Sequence, residues 1–302
     1  MATKSIVTGG AGFIGSHLVD ALIERGDDVH VIDDLSGGKR ELIHEKATFH
    51  EETICDREAI APIFEGADYV FHTAALPRVQ FSIEYPIETH EVNVTGTLNV
   101  LKACVDSGVK KVVFSSSSSI YGDQPTMPLV EDMDPGPKSP YGLHKYMGEL
   151  YCKMWNEIYG LPSVCLRYFN VYGPRQSAEG AYALVIAKFL KQREEGGSLT
   201  ITGDGKQTRD FTHVTDVVQA NLKAASSDSV GSADVINVGA GNNVSINKIA
   251  ELIGGEVEHI EARYEPHDTL ADNTRAREFL SWAPSVTIEE GIAELKKLHG
   301  LS

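Results

Sequence analysis

Over the first 170 residues, short runs of β-branched and aromatic residues alternate with helix-like stretches. "SIVTGG", "DVHVID", "ATFHEETI", "DYVFHTAA", "KVVFSS" and "SVCLRYF" read as strands, and several are too apolar to leave one face in water. Between them, "FIGSHLVDALIERG" and "VNVTGTLNVLKACVDSG" carry apolar residues at helical spacing and end in a glycine suited to a C-cap. Strands buried on both faces, separated by helices, predict an α/β fold with a doubly wound parallel sheet covered on both sides.

After "NVYGPRQ" the order becomes less regular, as in "ALVIAKFLKQREEGG", "LTITGDG" and "EVEHIEARYEP". This predicts a smaller mixed α/β lobe over 173–302, following a first domain over 1–172. "RDFTHVTDVVQANLKAA" and "DVINVGAG" could return to the first sheet, so the boundary is not one clean cut near 211–240. There is no internal repeat and no low-complexity linker, provided that the five serines of "VFSSSSSIYGDQ" have a place in the fold.

Composition narrows the class. With 302 residues, 42% of them hydrophobic, and no apolar run long enough to span a bilayer, the chain reads as a soluble globular protein. "MATKSIVTGG" shows no secretory signal, and a cytoplasmic location is the expectation. Cys55, Cys104, Cys152 and Cys165 lack CxxC pairing and metal-like spacing with histidine, which suits reduced, packed thiols and no metal. A formal charge of −16 with scattered basic residues argues against a nucleic-acid partner. A single anionic ligand is compatible with it if a few arginines converge.

"VTGGAGFIGS" places Gly9, Gly12 and Gly15 at GxxGxxG spacing, with Phe13 and Ile14 between the last two, directly after the first strand and at the start of the first helix. Glycines there allow a tight turn, let the backbone approach a pyrophosphate and expose helix N-terminal N–H groups to its charge. A purely structural turn would satisfy the same pattern. In "HVIDDLSGG", Asp33 follows Gly15 by 18 residues, where an acid can bind both hydroxyls of an adenosine ribose and repel a 2′-phosphate. That favours NAD over NADP; the alternative is that Asp33 and Asp34 only form a turn.

"KSPYGLHKYMGEL" offers Ser139 as N-cap and Pro140 at the first helical position. Tyr141 and Lys145 then share a helix face at i and i+4. A phenol is a poor base at neutral pH, but a neighbouring ammonium and an oxidised nicotinamide ring both favour the phenolate. The Tyr/Lys pair occurs by chance in ordinary helices, so its context decides. GxxGxxG, an acid after the second strand, a serine-bearing fifth strand and a helical Tyr-x-x-x-Lys together resemble the extended short-chain dehydrogenase/reductase superfamily, over essentially the whole chain.

That resemblance implies a Rossmann-like first domain holding NAD. It places the catalytic hydroxyl on Ser117, the third of the five serines, and gives Lys145 a second role on the nicotinamide ribose. It brings Ala74 of "HTAAL" and Asn93 of "VNVTGT" to the cofactor groove, although packing roles would explain both. One departure is Thr53 in "ETICD", where relatives carry an aspartate that reaches the adenine.

In the second half, "LRYFNVYGPRQ", "GDGKQTRDFTHVTDV" and "LADNTRAREFLSW" resemble the nucleotide-sugar branch, especially UDP-hexose 4-epimerases. The resemblance sets Asn170 and Arg209 against a substrate diphosphate, and a guanidinium's planar fork suits phosphate oxygens. An ion pair with Asp210 or another acid is the alternative for Arg209. Arg263 of "ARYEPHDTLAD" is the candidate for a second diphosphate arginine.

The implied reaction inverts C4 of a UDP-sugar through a transient 4-keto sugar, Tyr141 acting as base. Rival dehydratases and decarboxylases need a carboxylate beside the catalytic hydroxyl, where this chain has Ser118 and Ser119. Thr269 stands where a bulky tyrosine restricts the sugar pocket in some relatives, leaving room for an N-acetyl group; a UDP-glucuronate 4-epimerase is the remaining alternative. A non-catalytic NAD-binding regulator would account for the glycines but not for Ser117, Tyr141, Lys145 and the arginines. Relatives pair through two helices that fall near 89–107 and 140–160 here, so a homodimer is expected.

Overall fold

The computed structural model describes residues 2–178, 184–261 and 268–301. Its first part alternates β1 (Lys4–Thr8), α1 (Phe13–Arg25), β2 (Asp28–Ile32), β3 (Thr48–His50), α2 (Arg57–Ile60) and β4 (Tyr69–His72). There follow α3 (Val79–Glu84), α4 (Pro86–His90), α5 (Thr97–Ser107), β5 (Lys111–Ser117), α6 (Pro140–Tyr159) and β6 (Ser163–Tyr168). The second part holds β7 (Val171–Tyr172), α7 (Val185–Glu194), β8 (Leu199–Thr202), β9 (Thr208–Asp210), β10 (Thr212–His213) and α8 (Val214–Ser226). It closes with β11 (Ser232–Val238), β12 (Asn243–Ser245), α9 (Ile246–Ile253), β13 (Val257–Ile260), α10 (Thr274–Leu280) and α11 (Ile288–Leu298).

Seven strands form one sheet in the order β11-β6-β5-β4-β1-β2-β3, and every pairing in it is parallel. This is the doubly wound α/β sheet that the apolar strand runs predict. Its cause is burial: all six residues of β6 and the first six of β5 are inside, which needs helices on both faces. On one face, Leu18, Leu22, Val217, Ala224 and Trp282 pack against Val7, Val31 and Val164. On the other, Phe64, Leu101, Cys104, Cys152 and Leu161 pack against Ile6, Val70 and Phe114. A separate core built on Ile186, Phe189, Ile201, Ile249, Ile253 and Leu295 supports the smaller lobe.

α1 and α5 stop at Gly26 and Gly108, whose φ of 91° and 67° lie in the left-handed region that glycine enters without strain. "ATFHEETI" shrinks to the three residues of β3, because the polar tail beyond His50 has no second strand to pair with. Ahead of α5 the helix opens into wide, π-helical backbone over Glu91–Gly96. β11 and α8 lie on the first sheet, and so do Ala276 and Leu280 of α10 with Trp282, since the buried indole packs with Val217 and donates to the Asp216 carbonyl. No helix among the described residues is long and apolar enough to cross a membrane.

Candidate active site

The strand order reverses between β1 and β4, and at such a point the carboxyl ends of the strands open a crevice. The glycine-rich turn lines it. Gly9, at φ 74°, donates to the Ile32 carbonyl, and Gly12 donates back to the Gly9 carbonyl at 3.1 Å. A Cβ on Gly9 would stand 2.6 Å from the Ala74 nitrogen, and one on Gly15 would stand 2.1 Å from the Gly9 oxygen. Both contacts are backbone, so neither can yield. α1 starts at Phe13 with Gly12 as its N-cap and no side chain on its first N–H groups, while Ile14 packs into the core behind.

Asp33, 9% exposed at the end of β2, accepts from Ala11 N at 2.9 Å and Leu35 N at 2.8 Å. Burial pushes its carboxyl up, against those two bonds. Asp33 thus makes a turn and also braces the glycine loop from the next strand. Asp34 is exposed and closes a smaller turn on Ser36 N. Uncapped helix N–H groups, a cradle in which a Cβ fits at neither Gly9 nor Gly15, and an acid beside it match a dinucleotide's pyrophosphate and ribose. The residues present therefore fit NAD.

The buried Asn93 amide is bonded on both sides to one backbone unit. Its Oδ1 accepts from Leu76 N and its Nδ2 donates to Leu76 O, at 2.8 and 3.0 Å, which clamps the loop running on from Ala74. The Thr53 hydroxyl accepts from Cys55 N. Behind Gly9, His72 sits between Thr8 and Thr97, and burial, with Lys145 beside it, pushes its imidazole down to about 3.

β5 delivers the serines to the same edge. Ser117 is its last residue, and its hydroxyl accepts from Ser119 N and Ser119 Oγ and lies beside the Tyr141 phenol, whose ionisation it eases. Two serines satisfy the open end of α6: Ser139 accepts from Gly142 N, and Ser82, from α3, accepts from Tyr141 N at 3.0 Å. One helical turn on, Lys145 Nζ donates to the Ser115 carbonyl at 2.7 Å and lies 6.0 Å from the Tyr141 ring centre.

Burial pushes the Lys145 ammonium down to about 8. Burial also pushes the Tyr141 phenol up to about 12, opposed by the Ser117 bond. The ammonium is engaged on a main-chain carbonyl, and the Ser117 hydroxyl eases ionisation of the phenol.

Between β6 and β7, Asn170 adopts φ 30° and donates to Asp210 O at 3.1 Å and Thr269 Oγ1 at 3.3 Å. Thr269 Oγ1 also accepts from Asp210 N. Arg209, on β9 between them in sequence, donates from Nη1 to Thr208 O. The Asp210 carboxylate is taken by Ala240 N, Gly241 N and Ala271 N, and burial pushes it up to about 6 against those bonds. Asn170, Arg209 and Thr269 are therefore neighbours, whereas Arg263 lies outside the described residues.

Sequence reasoning missed Ser82, Asp210, Arg167 and Glu149. Glu149 Oε1 accepts from Ser116 Oγ and from Arg167 Nε, with Arg167 Nη2 on Oε2 at 2.7 Å. A usable signal existed: Glu149 follows Tyr141 by eight residues and so shares its helix face.

The sequence pattern of the NAD-dependent epimerase/dehydratase family matches residues 5–239. UDP-glucose 4-epimerase from Mycolicibacterium smegmatis is 39% identical over 305 residues, 96% of each chain. UDP-N-acetyl-alpha-D-glucosaminuronate decarboxylase from Bacillus cytotoxicus is 36% identical over 317 residues, 97% of each. Among solved structures, UDP-N-acetylglucosamine 4-epimerase from Methanobrevibacter ruminantium, in complex with UDP-N-acetylmuramic acid, aligns with a TM-score of 0.94 at 40% identity. That alignment covers 98% of this chain and 97% of the other.

Proposed function

The chain belongs to the NAD-dependent epimerase/dehydratase family, and from that premise we propose that it is a UDP-hexose 4-epimerase. Its substrates are UDP-glucose and UDP-galactose, and also UDP-GlcNAc and UDP-GalNAc. The observation that carries the reading is the convergence of Ser117, Tyr141 and Lys145 at the end of a central strand, with Ser117 beside the buried phenol and Lys145 Nζ on the Ser115 carbonyl, 6.0 Å from the Tyr141 ring centre.

NAD+, when bound, supplies a hydride acceptor and then donor at the sugar C4. Gly9, Gly12, Phe13, Ile14 and Gly15 cradle its pyrophosphate, Asp33 takes the adenosine ribose in preference to a 2′-phosphate, and Lys145 holds the nicotinamide ribose. Ala74 and the loop clamped by Asn93 form the wall beside Gly9. Tyr141 takes the proton from the 4-hydroxyl while Ser117 steadies the same oxygen. Arg209 and Asn170, with Arg263 as a further candidate, anchor the diphosphate so that the 4-keto sugar can turn its other face. Tyr141 then returns the proton, and C4 is inverted without net redox change.

A decarboxylase or dehydratase needs a free carboxylate near the sugar. Ser118 and Ser119 supply none, and the Glu149 carboxylate is committed to Arg167 and Ser116. Thr269 is a small side chain beside Asn170, which favours room for an N-acetyl group. We also expect a cytoplasmic homodimer. Leu143, Leu150, Met154 and Ile158 form an exposed apolar stripe along α6, next to exposed Ile83 and Ile87 on α3 and α4, and a second copy would cover it.

The test is to purify the protein without added cofactor, measure the NAD it releases, and incubate it with UDP-galactose, UDP-GalNAc and UDP-glucuronate in turn. Inversion at C4 of the first two is the expected result. Net NADH, a 4-keto-6-deoxy product, or turnover of the uronate alone would overturn it.

A further inference from the structure

α6 presents Tyr141, Lys145 and Glu149 at successive i, i+4 positions, one face of the helix. β5 answers with three consecutive serines. The Ser117 hydroxyl meets the phenol, the Ser115 carbonyl takes the ammonium, and the Ser116 hydroxyl donates to Glu149 Oε1 at 2.6 Å. Glu149 and Arg167 are 5% and 3% exposed, and their fork-to-fork contact spans from α6 to β6. The guanidinium also donates to the Glu131 carbonyl and lies 4.7 Å from the Tyr121 ring centre.

Close packing alone does not fix the register of such a helix. Gly148 brings α6 so near β5 that a Cβ there would stand 2.3 Å from Phe114 Cζ, which sets the distance between them but leaves sliding and rotation to be stopped by something directional. A buried ion pair is a weak source of stability, since apolar residues of like volume often serve as well or better. A bidentate pair is strong in geometry.

We propose that Glu149 is a positioning residue: with Arg167 and Ser116 it fixes α6 on β5 so that the Tyr141 phenol stays on Ser117 and the Lys145 ammonium on the Ser115 carbonyl. The inference rests on the reading of Tyr141 as the base. Its signature is a loss of turnover without loss of binding or of fold.

The test compares Ser116→Ala, the double variant Glu149→Met with Arg167→Met, and Tyr141→Phe as a reference, all in the NAD-loaded protein. Ser116→Ala lowers kcat about tenfold at unchanged KM for UDP-galactose, because small misplacements at a reacting atom are costly. The double variant keeps its thermal midpoint and loses more of kcat than Ser116→Ala. A second readout is the titration of the Tyr141 phenol, followed as the ultraviolet difference between each protein and its Tyr141→Phe counterpart; it moves upward when the Ser117 bond loosens. Wild-type kcat and an unmoved phenol in Ser116→Ala overturn the proposal even if the double variant fails to fold. Wild-type turnover in Tyr141→Phe instead overturns the reading of the site, and the positioning role with it.

Discussion

Replacing Lys145 by Met should make the protein more stable and inactive at once. Burial holds the ammonium at about 8 against 10.5 for a free lysine, and desolvation is the cause. That gap corresponds to about 3 kcal/mol of strain, carried whenever both folded and unfolded chains are protonated. Met removes the charge and leaves its aliphatic chain against Phe114, whose ring centre is 5.0 Å from Nζ.

Against this stands the lost bond to the Ser115 carbonyl, worth about 1 kcal/mol for the neutral amine to which that gap refers. The net gain at pH 7 is therefore about 2 kcal/mol, or about 3 °C in a chain of this size. The pH dependence is the sharper test. The folded pKa is lower than the unfolded one, so between pH 8 and 10.5 the unfolded wild type binds more protons, and its stability rises with pH. The Met variant lacks this rise. Unfolding in urea, measured on both proteins stripped of NAD, should show the variant ahead below pH 8 and behind by about 1 kcal/mol above pH 10.5, where only the neutral amine's bond is lost. A stability gap that stays constant over this range would refute the assignment of a buried, strained ammonium.

The other predictions concern the two ends of the crevice. Gly15→Ala forces a Cβ to 2.1 Å from the Gly9 oxygen and 2.8 Å from its carbonyl carbon, so the purified variant should carry almost no NAD; normal cofactor content would show that the turn is not the cradle. Arg209→Ala should weaken UDP binding about tenfold or more by calorimetry, as loss of a charge-assisted contact requires, and unchanged affinity would remove Arg209 from the diphosphate site. Thr269→Tyr should lower the kcat/KM ratio of UDP-GalNAc to UDP-galactose by about tenfold or more through steric exclusion. An equal loss on both sugars would mean that Thr269 only supports Asn170 and Asp210.

The sheet was legible because several of its strands carry apolar runs on both faces, a pattern that double-sided burial explains, and the helix ends at Gly26 and Gly108 because glycine alone enters the left-handed region freely. The short helices α3 and α4 were not legible, since six and five residues hold too few turns for a period. Their contribution, Ser82 on the N–H of Tyr141, depends on a contact 59 residues away in sequence. Asn93 was read as lining the groove, with packing as the alternative, and its amide holds the backbone of Leu76. Both readings ask for an amide at the same place, and only the partner distinguishes them.

The serine run shows why residue type at a strand end carries more information than its repetition suggests. The Ser115 hydroxyl faces Tyr168, itself bonded to Asn221 on α8, while the Ser116 hydroxyl faces Glu149 on α6, as alternation along a strand demands. Ser117, where β5 ends, sits beside Tyr141 and caps the turn that follows by accepting from Ser119. A β-branched or larger side chain at Ser116 would fill the space that Glu149 needs, and alanine would leave one carboxylate oxygen with a partner fewer. The run is thus three different positions in succession, one tied to each face of the sheet and one to the reacting group. The charge that the middle one holds in place lies on the helix that carries the base.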